Sequence, residues 1–212
     1  MLRGGTGALL VNLGTVTREQ GAVMQTAVQE ANRLGIPWVL DPVAVGALSL
    51  RTRLAEQLKE RRPRIIRGNA SEIMALAGYS SVTKGPESTS SSADALQAAR
   101  ELALHTGAAV LVTGRTDYST DGHQVIATEN GHAMMSRVTG VGCSMGALAA
   151  ACAAVSPSPL QAAVSTAVLM GIAGEMAFEQ SPAPGSFAVS LLDSLYILSP
   201  EEVARRARIL PL

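Results

Sequence analysis

Two glycines and a thiol lie just before an alanine-rich run, in the stretch VTGVGCSMGALAA at 138–150. Glycine lets several backbone N–H groups converge on one point, because no Cβ blocks the approach. The beginning of a helix adds unpaired N–H groups and the positive end of the helix dipole. Gly140, Gly142 and Cys143 therefore predict a turn that binds an anion, most readily a phosphate. The alternative is an ordinary turn into a core helix, because isolated glycine motifs are weak signals.

This turn needs a scaffold, and apolar runs of strand length supply one. They predict strands at 8–12, 38–40, 64–67 and 108–113. Helices are predicted between and around them at 17–34, 50–62, 71–77 and 94–106. Alternating strands and helices form βαβ units, which require a parallel sheet. We therefore expect one α/β domain over 1–212, with a mostly parallel sheet and helices on both faces.

The remaining segments are predicted from local signals. Asn130-Gly131, flanked by 124–128 and 133–137, is typical of a two-residue β-hairpin. A serine-rich loop is predicted at 87–93. Further helices are predicted within 143–178 and at 186–195 and 201–208.

Polar residues follow the predicted strands, at the edge where ligands of open parallel sheets bind. Four strand ends carry such sequence: Asn12–Thr15, Asp41–Val43, Arg67–Asn69 with Glu72, and Thr113-Gly114. The predicted hairpin brings 139–143 to the same edge. Each segment alone would serve as a turn or cap, but five at one edge indicate an active site.

The residue types at this edge favour phosphoryl transfer. Asp41 and Glu72 are carboxylates, which suit the hard cation Mg²⁺. Arg67 offers a planar fork of donors to phosphate oxygens. Backbone amides of the 140–143 turn supply fixed dipoles where charge gathers on a transferring phosphoryl group. The chain has neither a G-x-x-x-x-G-K-[ST] sequence nor a G-x-G-x-x-G after the first strand, so it is neither a P-loop enzyme nor a typical dinucleotide-binding protein.

Composition excludes several classes of partner. Seventeen Lys and Arg balance seventeen Asp and Glu, so no overall field attracts nucleic acid or an anionic membrane. Cys143 and Cys152 have neither a metal-ligand spacing nor the pattern of a disulfide framework. No signal sequence or membrane-length apolar run is evident. We therefore expect a soluble, cytoplasmic protein that acts on small molecules.

Several longer motifs resemble one family. They are DPVAVGA at 41–47, RGNASEI at 67–73, VTG at 112–114, NGH at 130–132, VTGVGC at 138–143 and PGSF at 184–187. Asn69-Ala70-Ser71-Glu72 matches the N-x-x-E element of the ribokinase-like superfamily. Together the motifs are similar to those of the hydroxyethylthiazole kinase family, in order from about residue 8 to 205.

The resemblance implies a three-layer ribokinase-like fold in a homotrimer. The implied activity is ATP-dependent phosphorylation of the hydroxyethyl group of 4-methyl-5-(2-hydroxyethyl)thiazole, in thiamine biosynthesis and salvage. The implied site residues are Arg67, Thr113 and Asn69 for ATP, Gly140 for the thiazole, Asp41 and Glu72 for Mg²⁺, and Cys143 with Gly142 for catalysis. Cys143 stands where most ribokinase-like enzymes have an aspartate base. Our hypothesis is that this thiol assists proton removal only modestly.

Three departures from the family set the alternatives. Ala44-Val45 replaces the usual Gly-Ala, and Ser144-Met145-Gly146 replaces a more apolar or Thr-containing start to the helix. Family members carry about fifty more residues before the first strand, including a substrate-contacting methionine, so we expect an incomplete thiazole pocket. The alternatives are a non-catalytic nucleotide-binding remnant and another ribokinase-like kinase, such as hydroxymethylpyrimidine kinase.

Overall fold

A computed structural model describes residues 5–79 and 92–212. Within these residues, seven strands form one sheet in their order along the chain. They are β1 Leu9–Asn12, β2 Trp38–Asp41, β3 Ile65–Asn69, β4 Ala109–Thr113, β5 Asp117–Thr120, β6 Val125–Thr128 and β7 Ile209–Pro211. Strands β1 to β4 pair in parallel, and β4 to β7 pair antiparallel. The α/β class is confirmed, and the sheet is mixed, with its parallel half made by the four strands predicted from apolar runs.

Eight α-helices occur in the same described residues. They are α1 Arg18–Leu34, α2 Ser49–Lys59, α3 Ala70–Leu76, α4 Leu96–Thr106, α5 Val141–Val155, α6 Pro159–Gln180, α7 Pro184–Ile197 and α8 Pro200–Arg206. Buried side chains of α1 to α4, such as Val28 and Leu102, form a core on one face of the sheet. Buried side chains of α5 to α7, such as Met145 and Phe187, form a core on the other face. The predicted three layers are therefore present.

Local sequence fixes the ends of the helices next to the parallel strands. Thr17 caps α1, because its side chain accepts a hydrogen bond from the Gln20 N–H and the Gln20 side chain accepts one from the Thr17 N–H. Gly35 ends α1 in the left-handed region, with φ of 67°. Asn69 and Glu72 form the same reciprocal cap on α3. These caps hold the helices against the strand ends that carry the predicted site.

Helix α6 is the one helix among the described residues that is long and apolar enough to cross a membrane. It has 22 residues, and 72% of its apolar window is buried inside the protein. It contacts α5, α7 and strand β4. Its apolar character is therefore that of a core helix.

The predicted hairpin around Asn130 is wrong. The hairpin joins β5 to β6, and Asp121 organises its turn by accepting hydrogen bonds from the N–H groups of His123 and Gln124. The segment Ala133–Arg137, predicted as a strand, is a 3₁₀ helix. The predicted serine-rich loop lies outside the described residues except for 92–93.

Long-range contacts explain why the Asn130 signal failed. The side chain of Asn130 is buried, donates to the Arg206 carbonyl at 2.9 Å and accepts from the Arg208 N–H at 2.8 Å. It thus holds the C-terminal strand β7 beside β6, and β7 was not predicted. A side chain committed to a distant segment is not available to make the tight turn that its local sequence favours.

Candidate active site

Strand alternation brings four polar side chains to one place. They are Asn12 on β1, Asp41 on β2, Arg67 on β3 and Thr113 on β4. The residues two positions earlier on each strand are apolar and pack in or against the core under α5 to α7: Leu10, Val39, Ile65 and Leu111. Because side chains on a strand alternate between its faces, the four polar residues lie on that same face. They occupy its carboxyl end, at the beginning of α5.

Arg67 is at the centre of this cluster. Its Nη1 lies 3.3 and 3.4 Å from the two carboxylate oxygens of Asp41. Its Nη2 donates to Thr113 Oγ1 at 3.4 Å. These contacts are long for hydrogen bonds, and Nε is buried without a partner among the described residues. The guanidinium is therefore held in place but keeps capacity to bind phosphate oxygens.

Asp41 is completely buried beside Arg67 and accepts a hydrogen bond from Asn12 Nδ2 at 2.7 Å. Burial raises the pKa of Asp41 to about 6. The charge of Arg67 opposes that shift in pKa, and the negative charge of Glu72 adds to it. Asn12 also lowers the pKa through its hydrogen bond. A cation placed near both carboxylates would relieve their repulsion and favour the charged form of Asp41.

Glu72 is fixed by two backbone N–H groups. Its Oε2 accepts from Asn69 N–H at 2.9 Å and its Oε1 accepts from Ala44 N–H at 2.9 Å. Asn69 Oδ1 in turn accepts from Glu72 N–H at 3.0 Å. Ala44 lies in the left-handed region with φ of 60°, which strains any residue that carries a Cβ. The N-x-x-E element therefore ties the β2 loop to the cap of α3 and orients one carboxylate.

The beginning of α5 differs slightly from the predicted turn. Gly140, with φ of 93°, is the N-cap, and the helix begins at Val141. Gly142 and Cys143 therefore lie in the first helical turn rather than before it. No side chain of the described residues caps this helix, so its first N–H groups remain available to a ligand. The Cys143 thiol is exposed, and Asn12 Nδ2 lies 3.5 Å from its Sγ.

Gly142 makes the close approach between α5 and Arg67 possible. A Cβ at position 142 would lie 3.2 Å from Nη2 and 3.3 Å from Nη1 of Arg67. The guanidinium consequently lies against the uncapped first turn of α5. An anion bound at this point would face both the guanidinium and the positive end of the α5 dipole.

The sequence-predicted site residues therefore fall into two groups, and Gly140 stands apart from both. Direct contacts join Asp41, Arg67 and Thr113, Gly142 lies against Arg67, and Cys143 is reached by Asn12. Glu72 and Asn69 are joined to each other in the α3 cap, next to Asp41. Gly140 has no heavy atom within 4 Å of the position its Cβ would take.

Asn12 and Asp117 are not among the site residues assigned from the sequence, although the position of Asp117 after the strand that ends at Thr113 fits either a turn residue or a nucleotide contact. Asn12 was recognised only as a polar strand end, and its link between Asp41 and Cys143 depends on the fold. Asp117 follows the turn after Thr113 and is buried at the start of β5. In the sequence, the signal that each residue could belong to the site was its position at or after the end of a predicted strand.

The candidate site lies at the carboxyl ends of the parallel strands. A cavity of about 710 Å³ lies at the opposite ends of the strands and is lined by residues such as Trp38 and Arg64. None of the predicted site residues lines it. The convergence of charged and N–H groups, rather than cavity volume, therefore identifies the candidate site.

Known proteins resemble the chain throughout. A family profile described as the hydroxyethylthiazole kinase family matches residues 3–201. The hydroxyethylthiazole kinase of Akkermansia muciniphila is 92% identical over all 212 residues, which span 78% of that protein. The chain belongs to the hydroxyethylthiazole kinase family. The predicted resemblance and the prediction of a kinase are confirmed.

Other members of the hydroxyethylthiazole kinase family agree in sequence and structure. The protein of that name from Cronobacter sakazakii is 51% identical over 189 residues, which cover 89% of this chain and 71% of the relative. The solved hydroxyethylthiazole kinase from Pyrococcus horikoshii has a TM-score of 0.88 and 37% identity, covering 97% of this chain and 77% of its own. Pyridoxal kinase from Bacillus subtilis, at 20% identity and a TM-score of 0.57, shares the fold. The ribokinase-like fold is confirmed.

Proposed function

We propose that this chain transfers the γ-phosphoryl group of ATP to the hydroxyl of 4-methyl-5-(2-hydroxyethyl)thiazole, as a kinase of thiamine biosynthesis. The observation that carries the proposal is the meeting of the Arg67 guanidinium with the uncapped first turn of α5 across Gly142. Membership of the hydroxyethylthiazole kinase family supports a kinase activity, and we assign this point to the transferring phosphoryl group.

Catalysis at such a point is mostly positioning and charge stabilisation. Arg67 would bind phosphate oxygens, and the α5 N–H groups at Gly142 and Cys143 would stabilise negative charge as the phosphoryl group moves. Thr113 orients the guanidinium through its contact with Nη2. Asn69 serves the nucleotide site through the cap that fixes Glu72.

Magnesium fits the carboxylates in chemical kind. Mg²⁺ is commonly held by one or two protein carboxylates together with waters and substrate phosphates. Asp41 and Glu72 repel each other, and each carboxylate has lone pairs beyond those used by its present donors. We propose that the pair holds Mg²⁺ and its waters near the phosphates, where the cation would offset the repulsion between the two carboxylates. The ion would neutralise charge on the ATP phosphates.

Cys143 and Gly140 would lie on the acceptor side of the reaction. Gly140 faces open space at the N-cap of α5, where the thiazole alcohol would approach. Exposed Cys143 is three residues further along, and its thiolate form would accept the hydroxyl proton to become the neutral thiol. We propose that this contributes modestly, because a loose phosphoryl transfer needs little proton removal before the bond to phosphorus forms.

We also propose a cytoplasmic homotrimer, as the family resemblance implies. Helix α7 supports an assembly, because it exposes large apolar side chains at Val189, Leu192 and Tyr196, with exposed fractions of 62%, 59% and 91%. Contiguous apolar surface of this kind commonly marks an interface between copies of a protein.

The experiment measures ADP release by the purified chain with Mg²⁺ and ATP. The acceptors are hydroxyethylthiazole, hydroxymethylpyrimidine and none, and ATP binding is measured separately by calorimetry. Turnover that depends on the thiazole alcohol supports the proposal. Turnover with the pyrimidine alone would indicate a different small-molecule kinase, and ATP binding without turnover would indicate a nucleotide-binding remnant.

Two arginines at opposite ends of α5 provide a matched pair of variants. Arg67 lies against the first turn of α5, and Arg64 Nη2 donates to the Ser156 carbonyl at the end of α5 at 2.8 Å. We expect Arg67→Gln to abolish most turnover and Arg64→Gln to preserve it. Equal loss in both variants would indicate a structural effect on α5 and would contradict the assigned role of Arg67.

A further inference from the structure

The turn between β4 and β5 is fastened from two sides. Asp117 Oδ1 accepts a hydrogen bond from Gly114 N–H at 2.9 Å. Ser92 Oγ donates to the Thr116 carbonyl at 2.6 Å. Both Asp117 and Ser92 are buried, with 9% and 7% of their surface exposed. The backbone from Thr113 to Asp117 is consequently fixed by two buried side chains.

Gly114 closes the turn against one of these side chains. A Cβ at position 114 would lie 2.7 Å from Ser92 Oγ, which is closer than real Cβ contacts allow. The turn therefore fits directly over Ser92, and the bond from Asp117 holds the same peptide from the other side.

Burying a carboxylate costs free energy because the group loses its hydration, and an ordinary turn does not require this. Burial raises the pKa of Asp117 to about 7, with the Gly114 N–H and the charge of Arg67 opposing the shift. In the turn between β5 and β6, Asp121 also accepts hydrogen bonds from backbone N–H groups, those of His123 and Gln124. It is only partly buried, so its carboxylate loses less hydration than that of Asp117. The different burial of two similar turn residues points to a role for Asp117 beyond closing the loop.

The contacts lead from Asp117 to the site. Gly114 directly follows Thr113, whose Oγ1 accepts from Arg67 Nη2 at 3.4 Å and donates to the Gly68 carbonyl at 3.3 Å. A shift of the Gly114 peptide would therefore move Thr113, and with it the side of Arg67 that faces away from Asp41.

We propose that Asp117 is a positioning residue of the nucleotide site, which fixes Thr113 against Arg67 by accepting the Gly114 N–H. This proposal rests on the proposed function, because it assigns a role within the same phosphoryl-transfer site. The role belongs to the hydrogen-bond acceptor at Oδ1. An asparagine at position 117 keeps that acceptor, whereas an alanine removes it.

The test compares Asp117→Ala and Asp117→Asn with Asp121→Ala, a matched control in the next turn. For each variant, ATP affinity is measured by calorimetry without acceptor, the KM values for ATP and hydroxyethylthiazole by ADP release, and stability by urea unfolding. We expect Asp117→Ala to weaken ATP binding and to raise its KM about tenfold, with the KM for the thiazole alcohol within twofold of the parent. Asp117→Asn should restore both ATP values to within twofold, and Asp121→Ala should leave them unchanged.

Several results would overturn the proposal. They are unchanged ATP affinity in Asp117→Ala, an equal rise in both KM values, and an asparagine variant as impaired as the alanine variant. If Asp117→Ala does not fold, Ser92→Ala decides, because it removes the other fastening bond. About threefold weaker ATP binding in Ser92→Ala supports the proposal, and unchanged binding overturns it.

The calorimetric measurement separates this proposal from the proposed function. A parent chain that binds ATP but phosphorylates no thiazole alcohol refutes the proposed function, while the ATP affinities of the variants still decide the role of Asp117. A parent chain that binds no ATP overturns both.

Discussion

Replacing Gly142 by alanine directly tests the close contact between the Arg67 guanidinium and the first turn of helix α5. The added methyl group would lie 3.2 Å from Nη2 of Arg67, so the guanidinium must shift by a few tenths of an ångström. The contacts of Arg67 with Asp41 and Thr113 are already 3.3 to 3.4 Å long. A shift of this size away from either partner takes that contact beyond hydrogen-bond distance.

The magnitude follows from the bonds that are lost. Hydrogen bonds to charged groups contribute about 1.5–3 kcal/mol. If this loss falls on the transition state, Gly142→Ala lowers kcat/KM by about 10- to 100-fold. Stability should change little, because alanine favours a helix by roughly 0.5–1 kcal/mol over glycine and this offsets the tight contact.

Gly185 supplies the control. It holds the second position of α7, as Gly142 does in α5, and no heavy atom lies within 4 Å of its Cβ position. Gly185→Ala should gain helix stability and keep full activity. The assay is ADP release with hydroxyethylthiazole, beside urea unfolding of each variant. A Gly142→Ala protein with kcat/KM within twofold of the parent would refute the inferred geometry.

Three further predictions concern single residues. Cys143→Ala should lower kcat about tenfold or less and keep ATP affinity, because charge stabilisation dominates; a folded, ATP-binding variant without turnover contradicts this. Ala44→Gly should raise the free energy of unfolding by about 0.5–1 kcal/mol by relieving its left-handed backbone, and a lower urea midpoint would argue against that strain. The pKa of Asp117 is raised from 3.8 to about 7, so the folded chain keeps a proton that the unfolded chain has lost. Unfolding free energy should therefore fall as pH rises from about 4 to about 7, by up to about 1.4 kcal/mol per unit, and Asp117→Asn should reduce that slope; an unchanged slope rejects the assignment.

The sequence predicted those features of the protein that are determined by residues close together in the chain. Apolar runs predicted the four parallel strands, because strands buried on both faces leave few polar positions. The beginnings of α1 and α3 are also determined locally, since the caps at Thr17 and Asn69 are completed by residues three positions away. The polar strand ends predicted a site, because parallel strands bring their carboxyl ends to one edge.

Features that depend on distant segments were missed. Asn130 has a strong turn signal, but its side chain binds residues 206 and 208 and helps to place a strand that the sequence did not indicate. The complete burial of Asp41 and its link to Asn12 depend on the pairing of β1 with β2. The contact of Gly142 with Arg67 depends on how α5 crosses the sheet. In each case the decisive partner lies far away in the sequence.

The central claim is that the Arg67–α5 edge transfers a phosphoryl group to a thiazole alcohol. The most direct test is a single-turnover reaction of the purified chain with ATP labelled at the γ-phosphate, Mg²⁺ and hydroxyethylthiazole. The account predicts that the label appears on the hydroxyethyl oxygen, and that Arg67→Gln prevents this while Arg64→Gln does not. Label that remains in ATP, or that appears only as inorganic phosphate, would contradict the account.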